Sequence, residues 1–389
     1  LRLTVDRWID MRLAGWFSGD MRVQELSPHA ALLEGMGADV AVVSLLARET
    51  QEGFSNLLAF SGTQSALEKP GCLVAVNTLN THPTLGAVAL HDCHRPVYPL
   101  RFGGSGSSED WSIVDWCDQC HRKRGLVVWA DLPRLTEDFP QGEALAATIL
   151  RKVDAFEIAR FGEPEPAALI DWYHLLDCGL RLPLVGGSGK DSNAVATGAV
   201  RTYARCPPDA VITYAGWMDA VKTGHVFATN YPLLTMEVAG HEPGHVFTGE
   251  LTGRPMQIHV DARSTVPFDM VEVLFNGRIV ASRQASGNRQ SALLNVGFAP
   301  DAPGWLAARC WGNERLADGQ LVFAHTSPVY FHPHGGQPQA TPEAGARFKM
   351  ILDQTRDWSN TAARYEVVKS REHLHEVLGL ARAVLASNK

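Results

Sequence analysis

The chain has no uninterrupted apolar run of the roughly 18 residues that a membrane-spanning helix needs, so a helical span is excluded. Basic excess is missing too: 35 Lys and Arg stand against 42 Asp and Glu, scattered along the chain, for a formal charge of -7. Proteins that hold nucleic acid or an anionic membrane carry a basic face, so neither partner is expected. Cysteine is scarce, with seven dispersed over 389 residues. That odd number forms no disulfide framework, and buried thiols are expected instead. A serine hydrolase is also excluded, because no Gly-x-Ser-x-Gly elbow or Ser-His-Asp signature occurs. The glycine-rich stretch at 103–108 lacks the strand–Gly–Lys–helix context of a phosphate cradle and reads as a connector or a lid. The chain starts at Leu1 without a basic-then-apolar leader, so any targeting signal is expected upstream and the compartment is not legible.

What is present is ample apolar material. Hydrophobic residues make up 45 % and charged residues 20 %, the balance of a soluble protein with a sizeable core. At roughly 100–200 residues per domain the length predicts two or three units. Up to about residue 225, short apolar runs alternate with helical stretches, the order of a parallel α/β barrel or doubly wound sheet. Candidate strands are 38–43, 72–76, 86–90, 126–130, 155–158 and 182–185, with helices at 28–36 and 142–153. From about residue 230 the texture changes to alternation of period two, as in 256–260 and 270–275. Asn276-Gly277 between apolar runs is a hairpin signal, because a type I′ turn needs positive φ at both central residues. Strands are also expected at 305–309 and 329–331. Near the C-terminus Leu374, Val377, Leu378, Ala381, Val384 and Leu385 recur at helical spacing and predict one docked stripe. The expected architecture is an α/β fold: a distorted barrel over 1–228, a β-sandwich over 229–335 and a helical tail over 336–389.

One short motif admits two chemistries. Cys117-Asp118-Gln119-Cys120-His121 has the spacing used for covalent haem attachment, but the preferred reading is a helix on which Cys117, Cys120 and His121 share a face.

The segment Gly15-Trp16-Phe17-Ser18-Gly19-Asp20-Met21-Arg22-Val23-Gln24 resembles the opening of the PHP (polymerase and histidinol phosphatase) metallohydrolases, in the carbaryl-hydrolase-like branch, which reads G-W-Y-S-G-D-L-H-V-H. Similar stretches follow in order at 154–157, 172–183, Gly186-Gly187-Ser188-Gly189-Lys190-Asp191, 224–234 and 324–330. The resemblance implies a PHP-like α/β barrel closed by a β-sandwich, and in working members two or three divalent metals that activate water for hydrolysis.

At the metal positions the pattern fails. A hydrolytic site needs several His or carboxylate ligands converging on the ion. Here the family's H-x-H reads Arg22-Val23-Gln24, and a guanidinium has no lone pair to give. The family's T-D-H becomes Ser44-Leu45-Leu46. Its closing G-S-D-x-H becomes Gly187-Ser188-Gly189-Lys190-Asp191, losing a carboxylate at 189 and a His at 191. Glu157 survives, and Asp131 in Trp129-Ala130-Asp131 could still ligate. The resemblance places Arg22 and Lys190 near Glu157, so the expectation is charge for charge: cationic side chains where metal cations stood, and no cofactor. The protein then reads as a non-catalytic binding or scaffold member.

The alternative is a divergent hydrolase of ester, carbamate or phosphoester bonds, holding Zn, Mn or Fe with a rearranged set drawn from His82, His91, Asp92, His94, Asp131, Glu157 and Asp191, chiefly His91, His94, Asp131 and Glu157. A metal-free variant would use Asp131, Glu157 or Asp191 as general base beside Arg22. Trp16, Trp129 and Trp172 lie near expected strand ends. Each reads first as a core residue; as ligand platforms with Arg22 and Lys190 they would suit a small anionic or sugar-like ligand.

Overall fold

The computed structural model describes residues 7–50, 53–104, 107–130, 141–159, 167–207, 211–249, 253–333 and 340–387. In chain order the first half comprises β1 (Trp16–Val23), α1 (Pro28–Gly37), β2 (Val42–Thr50), the short β3 (Gly53–Ser55) and β4 (Leu67–Lys69), β5 (Cys72–His82), β6 (Gly86–His91) and α2 (Ile113–Arg122). It continues with β7 (Leu126–Trp129), α3 (Gly142–Ile149), β8 (Ala155–Ile158), α4 (Ala167–Asp177), β9 (Leu184–Gly186), β10 (Arg201–Arg205), α5 (Tyr214–Thr223) and β11 (Val226–Thr229).

These strands form a curl. β1, β2 and β5 run parallel, as do β7, β8 and β9. β9 then returns to the starting strands: Val23 and Lys190 make a parallel bridge, and the Gly186 N–H donates to Thr202 Oγ1 of β10 at 2.7 Å. The expected parallel order is broken at β6, which is antiparallel to both β5 and β7. The cause is a tight hairpin in which His82 Nδ1 accepts the Thr84 and Leu85 N–H groups at 3.0 and 2.8 Å. Hydrophobic periodicity carries no strand direction, so this reversal was invisible in the pattern.

Side chains alternate across the curl with period two. Inward-facing Val42, Leu46, Leu73, Ala75, Ala89, Val128, Ala155 and Val185 pack on Tyr214, Trp217, Met218 and Val221 of α5, which fills the hollow. Gly19 is required here, because any Cβ would run into the Trp217 ring. Outward-facing Val88, Leu90, Val127, Trp129, Phe156 and Ile158 pack under α2, α3 and α4. β2 begins later and runs further than expected, so that Ser44, Leu45 and Leu46 lie within the strand instead of following its end.

The second half contains β12 (Leu233–Val238), β13 (Val246–Phe247), β14 (Met256–Arg263), β15 (Met270–Phe275), β16 (Arg278–Gln284), β17 (Ser291–Phe298), β18 (Gly304–Arg315), β19 (Leu321–Thr326) and β20 (Val329–Phe331). β12, β14 and β17 form a separate sheet. Its Met236, Val238, Ile258, Val260 and Leu294 face Val271, Val273, Ala308, Cys310 and Val322 of β15, β18 and β19 across a second core. β19 also pairs antiparallel with β11, so one ladder runs from the curl into the second half without a break. β15 and β16 are the predicted hairpin, with φ 47° at Asn276 and 74° at Gly277.

The chain ends in α6 (Pro342–Thr361) and α7 (Val368–Ser387). Thr341 caps α6 by accepting the Ala344 N–H, and Pro342 needs no donor partner at that position. Leu374, Val377, Leu378, Ala381 and Leu385 are buried as one stripe against the outer core, while Val384 sits at its rim. Among the described residues no helix is long and apolar enough to cross a membrane.

Candidate functional site

β1 carries a register shift between Asp20 and Val23, and Arg22 lies within it. From there Arg22 Nε donates to Glu157 Oε1 of β8 at 2.9 Å, with side chains 6 % and 1 % exposed. Such a pair is held only if attraction and further hydrogen bonds offset the loss of hydration of both ions. Room for the guanidinium comes from the turn after β9. A Cβ on Gly187 would collide with Glu157 Oε1, and one on Gly189, which sits at φ +63°, would lie 2.8 Å from Arg22 Nη2. The large cation on β1 and the missing side chains at 187 and 189 are therefore one steric unit.

Asp20, unassigned in the sequence reading, organises this corner. Its Oδ1 accepts the Arg22 N–H at 3.1 Å and the Ser188 N–H at 2.8 Å, and its Oδ2 accepts the Gly198 N–H at 2.7 Å. Burial pushes its carboxyl up, against the lowering effect of these donors. A carboxylate two residues before Arg22 on an apolar strand, beside a glycine, was the available signal.

The other expected site residues disperse. Lys190 is buried, but its Nζ donates to the carbonyls of Ser192 and Val195 at 3.0 and 2.8 Å and lies 3.3 Å from Glu34 Oε2 of α1. It therefore does not join Arg22 and Glu157 as the charge-for-charge expectation had it. Gln24 is buried, its N–H donating to the Lys190 carbonyl at 2.7 Å. Asp191 is exposed, and Asp131 lies outside the described residues.

Of the alternative metal set, the described members His91, His94 and Glu157 do not come together. His91 ends β6 opposite Leu126, whereas Glu157 lies level with the residue after Trp129, which puts about 13 Å of strand between the two heights at 3.3 Å per residue. His91 is buried inside the curl with Nδ1 3.1 Å from the Tyr214 hydroxyl, which also takes the Asn77 amide at 3.1 Å. Burial holds His91 down at about 3, so it is neutral at ordinary pH. His94 is exposed and donates to the Lys123 carbonyl at 3.1 Å. His82 bonds Glu109, between Phe102 and Trp358. Asp92 is half-buried and pushed up to about 6, mainly by burial. Among the described residues no group of three or more His, Cys, Asp or Glu is placed to share an ion.

The tryptophans are core, not ligand platforms. Trp129 Nε1 donates to Gln141 Oε1 at 3.0 Å and Trp172 Nε1 to the Leu182 carbonyl at 2.9 Å, both fully buried. Trp16 is buried against Phe227. Cys117 and Cys120 are packed inside α2 with no exposed surface, and His121 bonds Asp154 at 2.8 Å, so the thiols have no open side on which a haem could be attached.

No family model matches the chain, and no curated protein does. Among solved structures the chain is similar to a two-domain protein from Bacteroides vulgatus described as containing a predicted PHP-like metal-dependent phosphoesterase. Identity is 8 % and the TM-score 0.38, with 81 % of this chain and 96 % of that one covered.

Proposed function

We propose that the chain is a PHP-like metallohydrolase homologue whose metal centre has been replaced by an internal ion pair, and that it works as a non-catalytic binding or scaffold protein. On this reading residues 1–228 are the barrel, 229–335 the sandwich and 336–389 the tail. The observation that carries it is the buried contact of Arg22 Nε with Glu157 Oε1 at 2.9 Å, in space opened by Gly187 and Gly189. Among the described residues the donor set at this corner does not suit a divalent ion. The surviving carboxylate already holds a fixed cation, Arg22 offers no lone pair, and Leu46, at the position of a family ligand, is an apolar side chain of the inner core. The anionic-ligand idea for this corner also weakens, because Arg22 is spent on Glu157 and Lys190 turns to Glu34.

The test is elemental analysis of the untagged protein after exposure to Zn, Mn and Fe and exhaustive buffer exchange. The expected result is no retained metal and no effect of chelators on stability. Near-stoichiometric, tightly held metal would overturn the proposal and direct attention to Asp131 and Glu157.

A further inference from the structure

The opposite end of the curl carries a second, different collection of charge. β1, β8, β9 and β11 run in one direction, so the residues just before β9 and β11 lie at the far end from Arg22 and Glu157. There a cavity of about 470 Å³ is lined by Arg181 and Pro183 ahead of β9, by Lys222 at the end of α5, and by His225, His245 and Tyr330. This volume is in the range of small-molecule sites. Among the described residues no carboxylate lines it. Glu242, the nearest acid in sequence to His245, is taken by Arg205 at 2.9 Å. Asp92 and Asp219 are near enough to Lys222 for charges to be felt between them, but they do not line the cavity.

The floor is backbone. Gly224 and Gly244 both sit at positive φ, 82° and 90°, and pack so closely that a Cβ on Gly224 would lie 3.2 Å from the Gly244 Cα. Behind the wall, His332 is buried with Nε2 lacking a partner, and it is held below the ordinary imidazole value by burial and by the charges of Arg181 and Arg151. His245 is held down likewise, by burial and by His241 and His225. Two fixed cations from separate elements, Arg181 and Lys222, thus border the cavity beside the imidazoles of His225 and His245. Such an arrangement favours an anion.

We infer that this cavity binds a small phosphate-bearing ligand, with Arg181 and Lys222 as its principal charge partners and His225 and His245 as flanking donors. Lining residues drawn from the β9 approach, the end of α5 and the loop before β13 border one cavity, and a tetrahedral dianion with several acceptor oxygens can meet more of them at once than a planar carboxylate can. The site is independent of whether the far end of the curl holds a metal.

Isothermal titration of the full chain with inorganic phosphate tests this, with acetate and citrate as carboxylate arms. Wild type is expected to bind phosphate saturably, and the Arg181→Gln/Lys222→Gln variant to bind about ten-fold or more weakly. A control with the same charge change on exposed β16, Arg278→Gln/Arg283→Gln, should bind as wild type does. As a readout that needs no variant, the His245 imidazole resonance should shift as phosphate is added. Absence of saturable binding, equal weakening in the control, or carboxylates binding as tightly as phosphate would each overturn the assignment.

Discussion

At the C-terminal end of β1, β8 and β9 a guanidinium is shut away against a carboxylate at 2.9 Å, whereas at the N-terminal end of β9 and β11 Arg181, Lys222, His225 and His245 border an open cavity with no acid among its described lining residues. The same sheet handles positive charge in opposite ways. A cation that loses its water must find a protein partner, and its removal is then felt as lost stability. A cation left at a cavity mouth keeps its water, and its removal is felt by whatever binds there.

Four measurements would break or sharpen that contrast. The largest effect is expected from splitting the buried pair. Arg22→Met or Glu157→Leu alone should lower unfolding free energy by about 3–5 kcal/mol, because each removes one half of a buried ion pair, and the double variant should recover most of it. Denaturant melts of the three proteins decide; a double variant as unstable as the singles would mean that the pair is not the unit.

Next in size is an acid-limb effect of His91. Its folded value of about 3 lies below the ordinary 6.5, so between those values the unfolded chain binds more protons. Stability should therefore rise with pH across that window and be lost as pH falls through it, at about 1.4 kcal/mol per pH unit. His91→Gln should flatten this slope, and an unchanged slope would assign it elsewhere. Smaller again is Gly187→Ala, where the added methyl meets Glu157; a loss of about 1–3 kcal/mol is expected, and a neutral outcome would show slack in the corner. Smallest is Arg181→Gln/Lys222→Gln, which should shift stability by less than about 0.5 kcal/mol. A large loss there would erase the difference between the two ends.

The sequence made parts of this legible for identifiable reasons. Asn276-Gly277 specifies its turn through backbone sterics alone, and the stripe from Leu374 to Leu385 is a one-dimensional pattern, so both were readable and both are present. Arg22 and Glu157 were expected to meet only because the resemblance to the PHP metallohydrolases implies that the ends of β1 and β8 lie together. The direction of Lys190 was not readable: a flexible ammonium goes to its nearest acceptors, and these are set by how α1 and the 192–195 turn pack. The tryptophans are core, the reading their type favoured; closeness to a strand end says nothing about which face a side chain takes. The basic cavity was illegible for a plainer reason. Its members are spread between positions 181 and 330 and meet only when β9, α5, β11, β13 and β20 are assembled.

The β11–β19 pairing also bears on how this chain could ever be divided. Phe227, Ala228 and Thr229 are bonded in register to Thr326, His325 and Ala324, so a cut after residue 228 severs a hydrogen-bonded seam instead of a linker. Each piece would present a bare strand edge to solvent, the kind of surface that recruits other chains. Gene fragments ending at that point should yield aggregates, and limited proteolysis should spare the seam, because what reads as two textures in the sequence is joined by a continuous strand pairing.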